Sequence, residues 1–113
     1  MGRFKIVLVS FPFDDFSTTK VRPAICLTDV VGKHRHRVVA YITSEPPDDL
    51  LETDITLSPM DDGFSVSGLK VSSTIRLHKL VTIPSSMIKR ELGRLPEANH
   101  LELVNKLKVL FQL

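Results

Sequence analysis

A set of cationic and hydroxyl side chains lies at the ends of apolar segments of this chain. The set comprises Lys20, Arg22, Thr43, Ser44, Ser73, Arg76 and His78. Arginine presents a planar fork of donors that fits phosphate oxygens, and small hydroxyl groups donate to the same oxygens without crowding them. If these side chains converge, they form a pocket that stabilises the negative charge that develops on a reacting phosphodiester.

RNA carries its own nucleophile, the 2′-OH, so such a pocket would need neither a metal ion nor a covalent enzyme intermediate. The reaction would be a transesterification that leaves a 2′,3′-cyclic phosphate and a free 5′-OH. We expect no cofactor and no metal, because the sequence has no GxGxxG, Walker, GxSxG, HExxH or CxxC motif. His34 and His36 would share one face of an extended strand, but no carboxylate or cysteine lies near them in sequence.

Charge is distributed unevenly along the chain, although the net charge is only +2. Residues 45–62 hold seven acids and no Lys or Arg, so the rest of the chain holds all 15 cations against six acids, a surplus of nine. The surplus lies around Lys20 and Arg22, in residues 33–37, and at Lys70, Arg76, Lys79, Lys89, Arg90 and Arg94. Charge alone fits a solvated surface and a phosphate-binding face equally well.

Length and composition predict one globular domain over residues 1–113, which are 42% hydrophobic and 25% charged. The apolar runs are too short to span a membrane, and the first residues lack the apolar core and cleavage site of a secretory signal. The single cysteine, Cys26, cannot form an internal disulfide. These features favour a cytoplasmic protein.

The hydrophobic pattern predicts a mainly β domain with a C-terminal helix, an α+β fold. β-branched apolar runs predict strands at residues 5–11, 22–28, 37–44, 54–57 and 72–83, the last continuing or bending into a sixth. Residues 84–93 begin with proline and predict a helical turn. Leucines at helical spacing predict an amphipathic helix within residues 95–113, which closes a barrel or packs on a sheet. Residues 45–53 and 60–68 show no regular pattern.

Five segments, in order along nearly the whole chain, resemble the MazF/PemK family of toxins from type II toxin–antitoxin systems. They are IVLVSFPF, KVRPAICLT, VVAYITS, GLKVSSTIRLHKLVTI and the closing LGRL with its helix. The resemblance implies an SH3-like barrel of the MazF/PemK/CcdB type and a homodimer. It also implies a sequence-specific endoribonuclease that cleaves single-stranded RNA and is neutralised by a cognate antitoxin protein.

The same resemblance assigns roles to individual residues. The catalytic arginine of the family falls on Arg22, its catalytic hydroxyl falls on Thr43, and its basic position in the fifth strand falls on Arg76. Pro23 would end the pairing of the second strand, so that Arg22 is held at the rim facing RNA. The remaining members of the polar set are expected to bind RNA or to support the site: Lys20, Ser44, Ser73 and His78.

The chain departs from the family pattern in three places. Phe4 and Lys5 stand where members commonly have glycine and an acid, residues 14–20 contain no glycine, and His78 replaces an acid found in some members. The identity of the general base therefore stays open.

Two other functional classes also stay open: a gyrase poison like CcdB, and a noncatalytic barrel that binds RNA or a peptide. The combination of Arg22 and Thr43 favours the endoribonuclease. A single tyrosine and no tryptophan argue against binding of single strands as the main task. Acidic, disordered antitoxin tails are expected to occupy the same basic groove as RNA.

Overall fold

A computed structural model of the chain describes residues 2–11 and 20–113. Its centre is a six-stranded sheet in the order β4-β5-β3-β2-β1-β6, and every pairing is antiparallel. The strands are β1 (Lys5–Phe11), β2 (Lys20–Cys26), β3 (His36–Thr43), β4 (Asp54–Leu57), β5 (Ser73–Pro84) and β6 (Ile88–Arg94), and they are followed by helix α1 (His100–Phe111).

Side chains alternate along the strands into two hydrophobic clusters. Ile6 of β1 joins a larger cluster that includes Leu103 of α1, whereas its neighbour Val7 joins a smaller cluster with Cys26 and Ile83. This division follows from the two-residue period of a β-strand, which sends successive side chains to opposite faces. Both faces of the central strands are therefore buried.

The mainly β fold with a C-terminal helix is confirmed, but the barrel is not closed. In the part of the chain that the structure describes, no pairing joins the edge strands β4 and β6. The predicted bounds of β1 and β4 are confirmed residue for residue, and those of β2, β3 and β5 differ by one or two residues at each end. In residues 2–11 and 20–113, no helix is long and apolar enough to cross a membrane.

The single helical turn predicted within residues 84–93 is confirmed at the start of the segment, and most of the segment belongs to the sixth strand. Only Ser85–Met87 forms a 3-10 turn, and Ile88–Arg94 forms β6. The proline and serines that suggested a helix start are local signals, whereas β6 is stabilised by a distant partner. It pairs along the edge of β1, where Ile88 lies opposite Val9.

Phe4, which stands where the family commonly has glycine, adopts a backbone conformation that glycine favours, with φ of 74°. Its ring is buried and stacks on the ring of His100, with centroids 4.0 Å apart. Its N–H donates to the carbonyl of Cys26 at 2.7 Å, and its carbonyl accepts from the N–H of Leu95 at 2.8 Å. These contacts offset the backbone strain and join the start of β1 to α1.

Residues 60–68, which lack a sequence pattern, contain the 3-10 turn Phe64–Ser67 packed against β6. Glycine is required on both sides of this contact. A Cβ on Gly68 would lie 2.0 Å from the carbonyl oxygen of Leu92, and one on Gly93 would lie 2.2 Å from that of Val66. The close approach fixes the segment that follows the turn beside the end of the sheet.

Candidate active site

A cavity of about 510 Å³ opens where the ladder between β2 and β3 ends. The pairing of these strands covers only Ala24, Ile25 and Cys26 on β2, and Pro23, which has no N–H, directly precedes it. Towards β1 the pairing continues, with Pro23 opposite Leu8. The prediction that Pro23 ends strand pairing is thus confirmed on the β3 side only, and the gap that results is the mouth of the cavity.

The cavity brings together four members of the polar set predicted from the sequence: Arg22, Thr43, Ser44 and Ser73. Three further charged residues line it, namely Glu45, Lys70 and Arg90. The two arginines, Lys70 and Ser44 are exposed at the opening. Three cations around one carboxylate make the cavity suited to a phosphate group.

The two arginines reach the cavity from opposite sides of β1. Arg22 lies opposite Val9 on the β2 side, and Arg90 lies opposite Leu8 on the β6 side. Lys70 comes from the segment that follows the 3-10 turn Phe64–Ser67. Three separate elements thus carry the three cations, so the basic opening of the cavity lies between these elements.

Thr43 ends β3 at the cavity and is half-buried. Its Oγ1 accepts a hydrogen bond from the backbone N–H of Glu45 at 3.1 Å. Because this bond occupies a lone pair, the hydroxyl hydrogen is left to donate to another group. A phosphate oxygen in the cavity is an acceptor of the required kind.

Ser73 is buried, and its Oγ donates to the carbonyl of Val71 at 2.9 Å. The hydroxyl therefore holds the cavity wall in shape. Arg22 and Ser44 are exposed and Thr43 is half-buried, so these three predicted residues of the cavity lining can face a substrate.

Arg76 lies in a second cavity of about 350 Å³, which shares Thr43 and Glu45 with the first. Its side chain is only 9% exposed, with Nε 3.1 Å from Oδ1 of Asp54, whose side chain is fully buried. These two atoms make no hydrogen bond within the described structure, so the contact is an ion pair without hydrogen-bond geometry. Nη2 of Arg76 lies 3.5 Å from Oδ1 of the exposed Asp49. The guanidinium thus lies beside two carboxylates of residues 45–62, which we call the acidic segment.

Two other predicted residues are not placed in the first cavity. His78 is exposed in the irregular part of β5, between the paired residues Arg76 and Leu80, and lines neither cavity. The predicted role of Lys20 depends on its side chain, which lies outside the described residues; only its backbone is described, as the start of β2. The prediction for the polar loop 14–20 lies outside the described residues in the same way.

The remaining histidines and Cys26 lie elsewhere. The His34 and His36 rings are 6.0 Å apart, and the ring of His100 contacts the Leu95 carbonyl at 2.9 Å through Nε2. No group of three or more side chains suited to a metal occurs in the described ranges. Burial raises the pKa of the Cys26 thiol, and nearby Arg37 offsets only part of that effect.

Sequence reasoning missed three residues of the cavity. Lys70 and Arg90 were noted only as part of the basic surplus, and the helical turn predicted for residues 84–93 hid the pairing that brings Arg90 beside β1. Glu45 was counted with the acidic segment. Its position two residues after Thr43 was the available signal, because a backbone N–H at that spacing can bond to a threonine hydroxyl.

Comparisons with known proteins agree with this fold. Residues 2–111 match the family described as PemK-like, MazF-like toxin of type II toxin–antitoxin system. The chain therefore belongs to this toxin family. Its sequence has no significant match among curated proteins.

Solved structures of similar fold include toxin MazF-mt6 of Mycobacterium tuberculosis, with a TM-score of 0.73 and 23% identity over 96% of this chain and 97% of that one. An endoribonuclease in complex with its cognate antitoxin, from a mycobacterial species, gives 0.72 and 13% identity over 100% and 96%. MazF of Deinococcus radiodurans gives 0.71 and 18% identity over 100% and 97%. At these identities the likeness concerns the fold.

Proposed function

We propose that this toxin is a sequence-specific, metal-independent endoribonuclease that cleaves single-stranded RNA. The observation that carries the proposal is the cavity that Arg22, Lys70, Arg90 and Thr43 line together. The cations bind and neutralise the scissile phosphate, while Arg22 and Thr43 donate to the oxygens that gain charge as the 2′-OH attacks. The products are a 2′,3′-cyclic phosphate and a 5′-OH.

Residues around the cavity have supporting roles in this proposal. Ser44 binds the same phosphate, Ser73 holds the cavity wall through Val71, and Arg76 holds the acidic segment that follows β3. Lys20 and His78 contact RNA beyond the scissile phosphate. We further propose that the toxin works as a homodimer, as its family resemblance implies, and that it does so in the cytoplasm, which its single cysteine favours.

The test is cleavage of a long RNA of mixed sequence in excess EDTA, with analysis of the product ends. Wild-type protein should give discrete fragments that end in cyclic phosphate. Arg22→Ala and Thr43→Val should reduce the rate by about 10²–10³-fold, the usual loss for a donor to a developing oxyanion. Thr43→Ser, which keeps the hydroxyl, should retain most of the activity.

Arg94→Ala is the matched control for Arg22→Ala, because Arg94 is an exposed arginine that does not line the cavity. Intact RNA after incubation with folded wild-type protein would contradict the proposal. That result would favour the gyrase-poison or the noncatalytic binding function instead.

An acidic antitoxin segment is the proposed inhibitor, since it would pair with the same cations that hold the phosphate. The solved structure of an endoribonuclease in complex with its cognate antitoxin supports an antitoxin partner. Both RNA and antitoxin should then bind more weakly as salt rises. Salt-independent binding of either ligand would contradict a shared basic groove.

A further inference from the structure

We propose that Glu45 is the general base of the reaction, which takes the proton from the attacking 2′-OH. This inference rests on the proposed function and assigns a catalytic role that neither the sequence motifs nor the comparisons supply.

The argument begins with the groups that can accept a proton in the cavity. Of the described residues that line it, Arg22, Lys70 and Arg90 are cations that donate hydrogen bonds and do not accept them. Thr43, Ser44 and Ser73 carry hydroxyl groups, which are weak bases at neutral pH. Glu45 carries the one carboxylate of this described lining.

The histidines of the chain do not compete for this role within the described structure. His34 and His36 lie in the turn before β3 and at its first residue, and His100 packs on Phe4. His78 is exposed and lines neither cavity. The acid that some family members carry two residues after the arginine of β5 is thus replaced by a residue away from the cavity, which leaves the role of base to another side chain.

The position of Glu45 is fixed by its backbone. Its N–H donates to Oγ1 of Thr43 at 3.1 Å. This hydrogen bond fixes the backbone of Glu45 beside the hydroxyl group that we propose to bind the phosphate. Glu45 is exposed and lines both the first and the second cavity, so its carboxylate is accessible to a ligand that enters either one. A base beside the hydroxyl group that binds the phosphate is close to the 2′-oxygen, because the ribose carbon that carries this oxygen is bonded to the carbon that carries the scissile 3′-phosphate ester.

The chemical step is balanced with no further reagent. The Glu45 carboxylate takes the 2′-OH proton, the 2′-oxygen forms a bond to phosphorus, and the bond from phosphorus to the 5′-oxygen breaks. The 5′-oxygen takes a proton from water to become the 5′-OH. Glu45 then returns its proton to solvent.

The direct test is single-turnover cleavage by Glu45→Gln in EDTA at pH 5 to 8, with RNA of mixed sequence. Glutamine keeps the backbone contact to Thr43 and removes the basic oxygen. Removal of a general base usually costs about 10²–10⁴-fold in rate. The Glu45→Gln rate should be lower than the wild-type rate by this factor across the pH range.

Other charged and titratable groups line the two cavities that Glu45 lines, and they set the electrostatic background of the cleavage rate. They are Arg22 of β2, Tyr41 of β3, Asp48 and Asp49 of the acidic segment, Lys70, Arg76 and Lys79 in and before β5, and Arg90 of β6. Asp48→Asn and Glu52→Gln are the matched controls. Asp48 lines only the second cavity, and Glu52 is an exposed carboxylate of the same segment that lines neither.

Binding separates a base from a structural residue. An oligonucleotide of the same sequence with 2′-deoxyribose sugars lacks the attacking 2′-OH, so its affinity measures binding without cleavage. Glu45→Gln should bind this probe at least as tightly as wild type, because one negative charge near the phosphate is removed. A loss of rate without a loss of affinity is the result expected.

Three outcomes would overturn the inference. A Glu45→Gln rate within threefold of wild type would exclude Glu45 as the base while the endoribonuclease activity stands. Equal losses of rate and of affinity would show a binding or structural role. Failure of folded wild-type protein to cleave RNA would overturn the proposed function together with this inference.

Discussion

The buried ion pair between Arg76 and Asp54 yields the sharpest prediction about stability. Arg76→Met removes the guanidinium and leaves the Asp54 carboxylate in a site where it is fully buried. One hydrogen bond to that carboxylate remains, from the N–H of Leu51 to Oδ2 at 2.9 Å. Breaking a buried pair by removal of one partner costs about 3–5 kcal/mol, because an uncompensated charge is left behind.

For a domain of this size, about 1 kcal/mol corresponds to roughly 4 °C in Tm, so Arg76→Met should lower Tm by about 12–20 °C. Asp49→Asn is the control, since the Asp49 side chain is 75% exposed and its loss should cost below about 1 kcal/mol. Urea unfolding followed by far-UV circular dichroism suits a chain that has no tryptophan.

The double variant Arg76→Met/Asp54→Leu completes the cycle. It should lose less stability than either single variant, because replacement of a whole buried pair by apolar groups is often neutral. The geometry strengthens this expectation, since Nε of Arg76 and Oδ1 of Asp54 make no hydrogen bond within the described residues. A loss below about 1 kcal/mol for Arg76→Met, together with weaker RNA binding, would refute the reasoning and place the guanidinium in the RNA interface.

Three further predictions follow from the backbone. Phe4→Gly should be more stable than Phe4→Ala, by about 1–2 kcal/mol in urea unfolding, because φ of 74° strains alanine and both variants lose the ring. Gly93→Ala should lower stability by about 1–3 kcal/mol and slow RNA cleavage, since its Cβ would lie 2.2 Å from the Val66 carbonyl oxygen. Hydrogen bonds from the N–H groups of Gly2 and Arg3 hold the pKa of Asp29 below its usual value. The carboxylate therefore stabilises the fold fully at a pH above the usual pKa of aspartate, and this stabilisation is lost as the pH falls through the lowered pKa of the folded state. Asp29→Asn should therefore destabilise the fold at pH 7 and have little effect at a pH below the lowered pKa of Asp29.

Each of these predictions has a distinct contradicting result. If Phe4→Ala were as stable as Phe4→Gly or more stable in urea unfolding, the left-handed conformation at position 4 would not be kept in solution. Unchanged stability of Gly93→Ala would show that the 3-10 turn does not lie against β6. An effect of Asp29→Asn that is the same at pH 7 and pH 3 would show that the carboxylate charge is not responsible.

The sequence was sufficient where structure is set by local patterns. β1 and β4 follow from alternation and from β-branched residues, and their bounds are the predicted ones. The meeting of Arg22 and Thr43 was predicted from motif resemblance, and the register agrees with it. Ala24 and Tyr41 form the last pair of the β2–β3 ladder, so Arg22 and Thr43 each lie two residues beyond that pair, on the two strands that flank the cavity.

The sequence was insufficient where a residue depends on a distant partner. The burial of Arg76 depends on Asp54, which belongs to another strand, and the place of Arg90 depends on the edge of β1. Neither partner is visible in the local pattern of charge or hydrophobicity. Lys70 likewise reaches the cavity only because the 3-10 turn before it packs against β6.

An open sheet has two edges that can recruit strands from other molecules, and this protein limits that hazard at both. β4 is only four residues long, and Lys106 of α1 donates to the Asp54 carbonyl at its start, at 2.6 Å. β6 carries the charges of Lys89, Arg90 and Glu91, and the glycine contacts hold the 3-10 turn directly against its backbone. Short, charged or covered edges oppose the strand addition that leads to aggregation. These features therefore oppose edge-to-edge assembly at both edges of the described sheet.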